Sequence, residues 1–267
     1  MARMTRTPNQ PPTRFGFRLQ RSSTHTSRRM MLEELRGVLS YVDRPEAGKA
    51  EYRRAIDDEN CLGKRSSKTR LLTYRHLCNL YALDPSLILF RTLVYFWQHD
   101  PCGQPLLALL CAYARDAILR STASFILPFP EGTTVTRGAL EAFIDATEPG
   151  RFSNATLTST AQNINATWTQ AGHLAGHRHK VRAKALPTAG SVAYALLLGY
   201  LSGSRGQALF TTEYARLLDV SCEQKMQLAA EACRRGWLVF KRVGEVIEVL
   251  FPHLIQAQEL EWLREQN

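Results

Sequence analysis

The chain has 267 residues, 45% of them hydrophobic, which is enough for a sizeable core and too apolar for a disordered chain. Lys and Arg number 34 against 24 Asp and Glu, giving a formal charge of +10 and a pI near 9.6. That balance points to polyanionic partners, nucleic acid ahead of an anionic membrane, and no apolar run approaches the roughly 18 residues of a membrane span.

Residues 1–29 hold seven arginines, three prolines and no acid, so they read as a basic, mobile arm without the apolar stretch of a secretory signal. From residue 30 to about 148 the pattern is helical. Leu32, Leu35, Val38 and Leu39 form one stripe, Glu51–Glu59 a second helix and Ser66–Leu83 a third. Asp84 and Pro85 have the chemistry of an N-cap and first helical residue, predicting a helix over Pro85–Gln98. A breaker at residues 101–105 opens another apolar helix reaching about Arg120, and Thr136–Ala146 is shorter. Ser153 caps a helix ending at Gly172, and His173–Pro187 reads as a basic connector.

Residues 188–267 change character. Ser191–Leu201 and Thr212–Leu218 are predicted helices, and Ser221 with Gln224 caps a third. Trp237–Val243 and Val246–Phe251 then flank Gly244-Glu245 as a β-hairpin. Three helices followed by a hairpin is the order of a winged helix-turn-helix. The expected architecture is therefore mainly α: a helical domain over 30–148, a capped helix and connector over 149–187, and a winged-helix-like module over 188–267.

Two windows carry the functional signal. No acid lies between Asn60 and Leu83, where Lys64, Arg65, Lys68, Arg70 and Arg75 stand, and none lies between Glu148 and Glu213, which enclose Arg151, Arg178, Lys180, Arg182, Lys184 and Arg205. Cations without local carboxylates are the footprint of a phosphate-binding surface. In the first window a turn, Ser66, Ser67 and the start of a helix add hydroxyls, free N–H groups and a positive dipole end. In the second, Arg178, Lys180, Arg182 and Lys184 form a strap. His173, His177 and His179 lack a nearby acid or cysteine to complete a metal site. In the winged module the third helix would present Glu223, Gln224, Lys225 and Gln227, and the wing Lys241 and Arg242.

Asp57-Asp58-Glu59 cannot easily converge on one metal, because consecutive helical carboxylates diverge. Walker, dinucleotide-fingerprint, nucleophile-elbow and HExxH patterns do not occur. The six cysteines show no CxxC and read as buried free thiols of a reducing cytoplasm. A non-enzymatic protein without cofactor or metal is expected.

Glu59-Asn60-Cys61-Leu62-Gly63-Lys64-Arg65-Ser66 followed by Thr69-Arg70 resembles the EN-L-x-KRS-x-x-T-R block of the BrxA family, accessory proteins of BREX bacteriophage-exclusion systems. Phe152-Ser153-x-x-Thr156, Asn163 and Ala171-Gly172 resemble that family's later block, and the likeness covers about residues 22–190. Gly63 stands where Gln is frequent, Phe152 where Trp is, and Thr160 where a basic residue is usual. The resemblance implies an all-helical, non-enzymatic protein that binds double-stranded DNA beside a methyltransferase, a PglZ-type protein and an ATPase. Two other readings share the electrostatics. One is a scaffold docking acidic proteins; the other is an RNA-binding helical module using Tyr74, Tyr81 or Trp168 for stacking.

Overall fold

A computed structural model describes residues 13–19, 21–44 and 47–264 and is mainly helical, with two small antiparallel sheets. Helices α1 (Leu32–Tyr41), α2 (Lys49–Asp57) and α3 (Ser67–Tyr81) follow one another along one side, and α3 leans on the apolar centre. That centre is α4 (Ile88–His99), α5 (Gln104–Arg115) and α9 (Ala189–Leu201), packed against one another. Every residue of α5 from Leu106 to Ala114 is buried, as is nearly all of α9. A helix apolar on all sides has no solvent face to offer, so both must be interior. Asp100, itself buried, accepts the Gly190 N–H at 2.9 Å, and a Cβ at Gly190 would meet that carboxylate at 2.3 Å. Glycine is required there by close approach.

Helices α6 (Ala117–Ile126) and α8 (Asn154–Gln170) pack on α5, and α7 (Arg137–Thr147) packs on α6 and α8. The expected single helix through Arg120 is broken at Asp116, whose extended backbone ends α5 and whose carboxylate accepts the Leu119 N–H at 3.0 Å as the N-cap of α6. The helix expected from Pro85 begins instead at Ile88. Asp84 spends its carboxylate on Ser86, and residues 84–87 form a turn one step ahead of the helix.

The basic connector is not a plain loop. It contains β2 (Leu174–Ala175) and β3 (Lys180–Arg182), which pair with β1 (Thr134–Val135) in the order β1-β3-β2. Strands of two or three residues carry too little alternation to be read from sequence.

After α9 come a 3₁₀ turn over Gly206–Thr211 and α10 (Glu213–Arg216), much shorter than the expected Thr212–Leu218 helix. The Ser221–Gln224 capping box opens α11 (Cys222–Arg234) as expected. The hairpin β4 (Val239–Val243) and β5 (Val246–Leu250) turns at Gly244, φ +60°, and a helix not foreseen, α12 (Ala257–Arg264), follows. Because α9 packs on α4 and α5 as well as on α10 and α11, one hydrophobic core runs from Phe15 to Leu263.

The expected arm is corrected where it is described. Phe15 and Phe17 are buried, Phe15 lies 6.1 Å from Trp262 of α12, and Arg18 N–H donates to Ala114 O at 3.2 Å. Phe15, Phe17 and Met30 are apolar anchors among the arginines; residues 1–12 and 20 lie outside the described residues. The six cysteines are free, but Cys102 and Cys222 are exposed, against the expectation of burial. Among the described residues no helix is long and apolar enough to cross a membrane.

Candidate nucleic-acid interface

The first acid-free window folds as a tight approach to α3. Asn60 adopts φ +52° and its Oδ1 accepts the Lys64 N–H at 2.7 Å, while Gly63 at φ +60° turns the chain with open space around it. Ser66 Oγ then accepts the Thr69 N–H at 3.2 Å, capping α3. Arg65, Ser66, Ser67 and Lys68 are exposed around that cap. Lys68, Leu72 and Arg75 are exposed too, and their spacing of four and three places them along one face of α3. Arg65, Lys68 and Arg75 make no ion pair among the described residues. Lys64 does: its Nζ reaches Glu34 of α1 at 3.1 Å. Arg70 is half-buried.

The segment before α1 adds two further cations. Asn163, Ser159 and Thr167, spaced four apart on α8, hold it: Asn163 Nδ2 donates to His25 O at 2.9 Å, Ser159 Oγ to Thr26 O at 3.4 Å, and Met30 N–H to Thr167 Oγ1 at 2.9 Å. Arg28 and Arg29 emerge exposed from that anchorage. Burial lowers the pKa of His76 on α3, and the positive charge of Arg28 adds to the effect. Arg29 in turn lines one cavity with Arg178 and Lys180. A segment that reads as a loose arm thus supplies Arg29 to the cavity lined by Arg178 and Lys180 and Arg28 to the surroundings of His76.

The second window is split. Arg178 and Lys184 are exposed and without an ion pair among the described residues, and Lys180 is half-buried. Arg182 was expected on the strap but is only 3% exposed. Its guanidinium bonds His173 O at 3.2 Å, Ala183 O, and Asp219 Oδ1 at 2.8 Å, so it cannot contact phosphate. His173 is equally interior: Nε2 donates to Leu217 O at 2.8 Å, and burial pushes its pKa down to about 4. Arg182 and His173 tie the connector to the turn between α10 and α11.

The C-terminal expectations change as well. Lys225 is buried and donates to Phe210 O at 3.2 Å, and burial lowers its pKa; it is not a contact on the outer face of α11. That face shows Glu223, Gln224 and Gln227. On the hairpin, Lys241 pairs with Glu248 at 3.3 Å and Arg242 lies 3.9 Å from Glu223, so both exposed cations are partly neutralised. A groove of about 920 Å³ separates α11 from the strap at Lys184 and Leu186. Tyr81 and Trp168, considered for base stacking, are fully buried, and Tyr74 is half-buried.

One arrangement was missed altogether. Asp116 Oδ2 lies 3.0 Å from His25 Nδ1, and His25 Nε2 lies 3.0 Å from Thr167 Oγ1. The order carboxylate–imidazole–hydroxyl is that of a nucleophilic triad. All three side chains are buried, however, and Thr167 Oγ1 already accepts Met30 N–H, so no substrate reaches it. Burial pushes the Asp116 carboxyl up, but His25, Ser23 and the Leu119 N–H together outweigh it and hold the carboxyl below its usual range. This network fastens residues 23–30 to α6 and α8. Among the described residues no three His, Cys, Asp or Glu side chains gather as a metal-binding group.

A scan against protein-family models and a search of curated proteins each return no match.

Proposed function

We propose that this protein is a non-enzymatic, double-stranded DNA-binding accessory component of a BREX-type phage-defence system, gripping the phosphate backbone. The observation that carries this reading is that seven cations of the two windows and of the segment before α1, namely Arg28, Arg29, Arg65, Lys68, Arg75, Arg178 and Lys184, are exposed and make no ion pair among the described residues. The capped start of α3 adds backbone N–H groups and a favourable dipole. Such contacts position a duplex without reading its sequence. The BREX setting, with its methyltransferase, PglZ-type protein and ATPase as partners, rests on the resemblance of residues 59–70 and 152–172.

Electrophoretic mobility shifts over a salt series test the reading. With about 6–10 phosphate contacts, affinity for unrelated duplexes is expected to fall about 10³–10⁵-fold between roughly 50 and 200 mM salt. Arg65→Glu with Lys68→Glu and Arg75→Glu should weaken binding to every sequence alike and flatten the salt dependence. Unchanged affinity in that variant would remove α3 from the interface.

A second reading concerns residues 188–267, which we take as a winged helix-turn-helix used for protein docking. It is favoured by the acidic and amide face of α11 and by the hairpin tip, where Val243 and Val246 are 79% and 73% exposed. Phosphate would be repelled by Glu223, whereas a protein partner could cover the two valines. Val243→Asp with Val246→Asp should abolish a nuclease-resistant complex with a BREX component while DNA affinity stays. Loss of DNA binding instead would make the hairpin a DNA-contacting wing.

A further inference from the structure

A cavity of about 850 Å³ lies between α8, the first turn of α7 and strand β3. Its size is that of a site for a small organic ligand. Three observations define what it would accept. First, Arg29, Arg178 and Lys180 line it, and its one lining carboxylate, Glu141, is already paired with Arg137 at 3.0 Å. Burial lowers the pKa of Lys180, as expected for an ammonium drawn partly out of water. Second, the N-terminus of α7 opens into it. Thr136 Oγ1 caps Ala139 N–H at 3.2 Å, which leaves the Arg137 and Gly138 N–H groups ahead of the first intrahelical bonds. The space where a Gly138 Cβ would stand is empty to 4 Å.

Third, Asn165 lines the cavity from α8. It is 5% exposed, and its Oδ1 has no hydrogen-bond partner. The Oε1 of Gln170, five residues on and in the same lining, is also unpartnered. A buried amide carbonyl without a donor carries a desolvation cost that a ligand N–H would relieve. Cations, helix N–H groups and amide acceptors in one lining call for a phosphoryl group joined to a body that carries N–H donors.

We propose that this cavity binds a nucleotide through its terminal phosphate and the amino group of its base. The phosphate sits at the α7 N-terminus among Arg29, Arg178 and Lys180; the base amine meets Asn165 and Gln170. The same chemistry is presented by a free mononucleotide and by the 5′-phosphorylated end of a DNA strand. The proposal does not rest on duplex binding by α3, and each can fail without the other.

The full chain is titrated with adenosine 5′-monophosphate, adenosine and inorganic phosphate. In parallel it is titrated with one duplex bearing either a 5′-phosphate or a 5′-hydroxyl. Two variants accompany it. Gly138→Asp puts a carboxylate at a helix N-terminus, where it favours the helix but repels phosphate. Asn165→Leu removes the amide at similar volume. Binding of the monophosphate, not of adenosine, weakened roughly tenfold or more by both variants, supports a free nucleotide. A preference for the 5′-phosphorylated duplex that both variants erase supports a strand end. Should neither phosphorylated probe bind better than its unphosphorylated counterpart, the proposal is overturned. Inorganic phosphate matching the monophosphate, or affinities indifferent to both substitutions, would overturn it too. Thermal melts of the variants establish that they are folded, and Gly138→Asp decides the matter if Asn165→Leu is not.

Discussion

The windows over 60–83 and 149–212 look alike as sequence, each a run of cations without acids, yet they fold to different ends. In the first, Arg65, Lys68 and Arg75 remain in solvent, and among the described residues only Lys64 finds a carboxylate, Glu34 of α1. In the second, the strap is folded inward at its middle. Arg182 and His173 go to the interior, while Arg178 and Lys184 stay outside on either side. The partner that makes the difference is Asp219, 37 residues beyond Arg182. A guanidinium can be buried when a carboxylate and two carbonyls meet its donors; an unpaired one cannot. Local absence of acid therefore does not forecast an exposed cation. It forecasts one that is unpaired until the tertiary structure brings a partner.

This contrast can be broken or sharpened by experiment. The largest effect is expected from Arg182→Ala, which leaves Asp219 without its partner and frees the connector. Unfolding stability should drop by about 3 kcal/mol in denaturant titrations, while Arg178→Ala stays within about 0.5 kcal/mol. Equal losses for the two would dissolve the distinction between an internal and an external strap residue.

Next comes pH. His173 has a folded pKa of about 4 against roughly 6.5 in the unfolded chain. The unfolded chain therefore binds a proton that the folded chain refuses. The contribution is complete above about pH 6.5 and is lost as pH falls towards 4. Asp116, with its carboxyl held low, adds a further loss below about pH 4. Stability measured across this range should fall on acidification, and His173→Asn should flatten the upper part of the slope. A slope identical in the variant would relocate the effect to another group.

The smallest effect is expected on the hairpin. Lys241→Ala with Arg242→Ala removes cations already facing Glu248 and Glu223, so duplex affinity should change by less than about threefold. A larger loss would bring the hairpin into the DNA interface.

Capping chemistry was the most legible part of the sequence. Ser66, Ser153 and Ser221 cap the helices expected of them, and Thr136, read as the first residue of its helix, is its N-cap, because a cap acts within three residues and needs nothing distant. Asp116 was overlooked for the opposite reason, its partners lying far away in the chain, whereas Asp84 was misread over only two residues. What each carboxylate does depends on neighbours: Ser86 for one, and His25, Ser23 and Thr24 for the other. The candidate site divides the same way. Arg65, Lys68, Arg75, Arg178 and Lys184 lie where an exposed cation was expected. Arg182 and Lys225 do not, and Arg28 and Arg29 enter from a segment that reads as an arm.

The sequence by itself determined the helical class, the apolar character of α5 and α9, the hairpin about Gly244 and the excess of positive charge. These depend on local periodicity, turn chemistry and composition, which act over a few residues. The tertiary structure alone decided which cations stay in water, that residues 13–19 and 21–29 are anchored, and that Asn165, its Oδ1 unpartnered, lines a cationic cavity. Those outcomes turn on pairs such as Arg182–Asp219 and His25–Asp116, whose members are far apart in the chain and whose energies exist only once burial has removed the competing water.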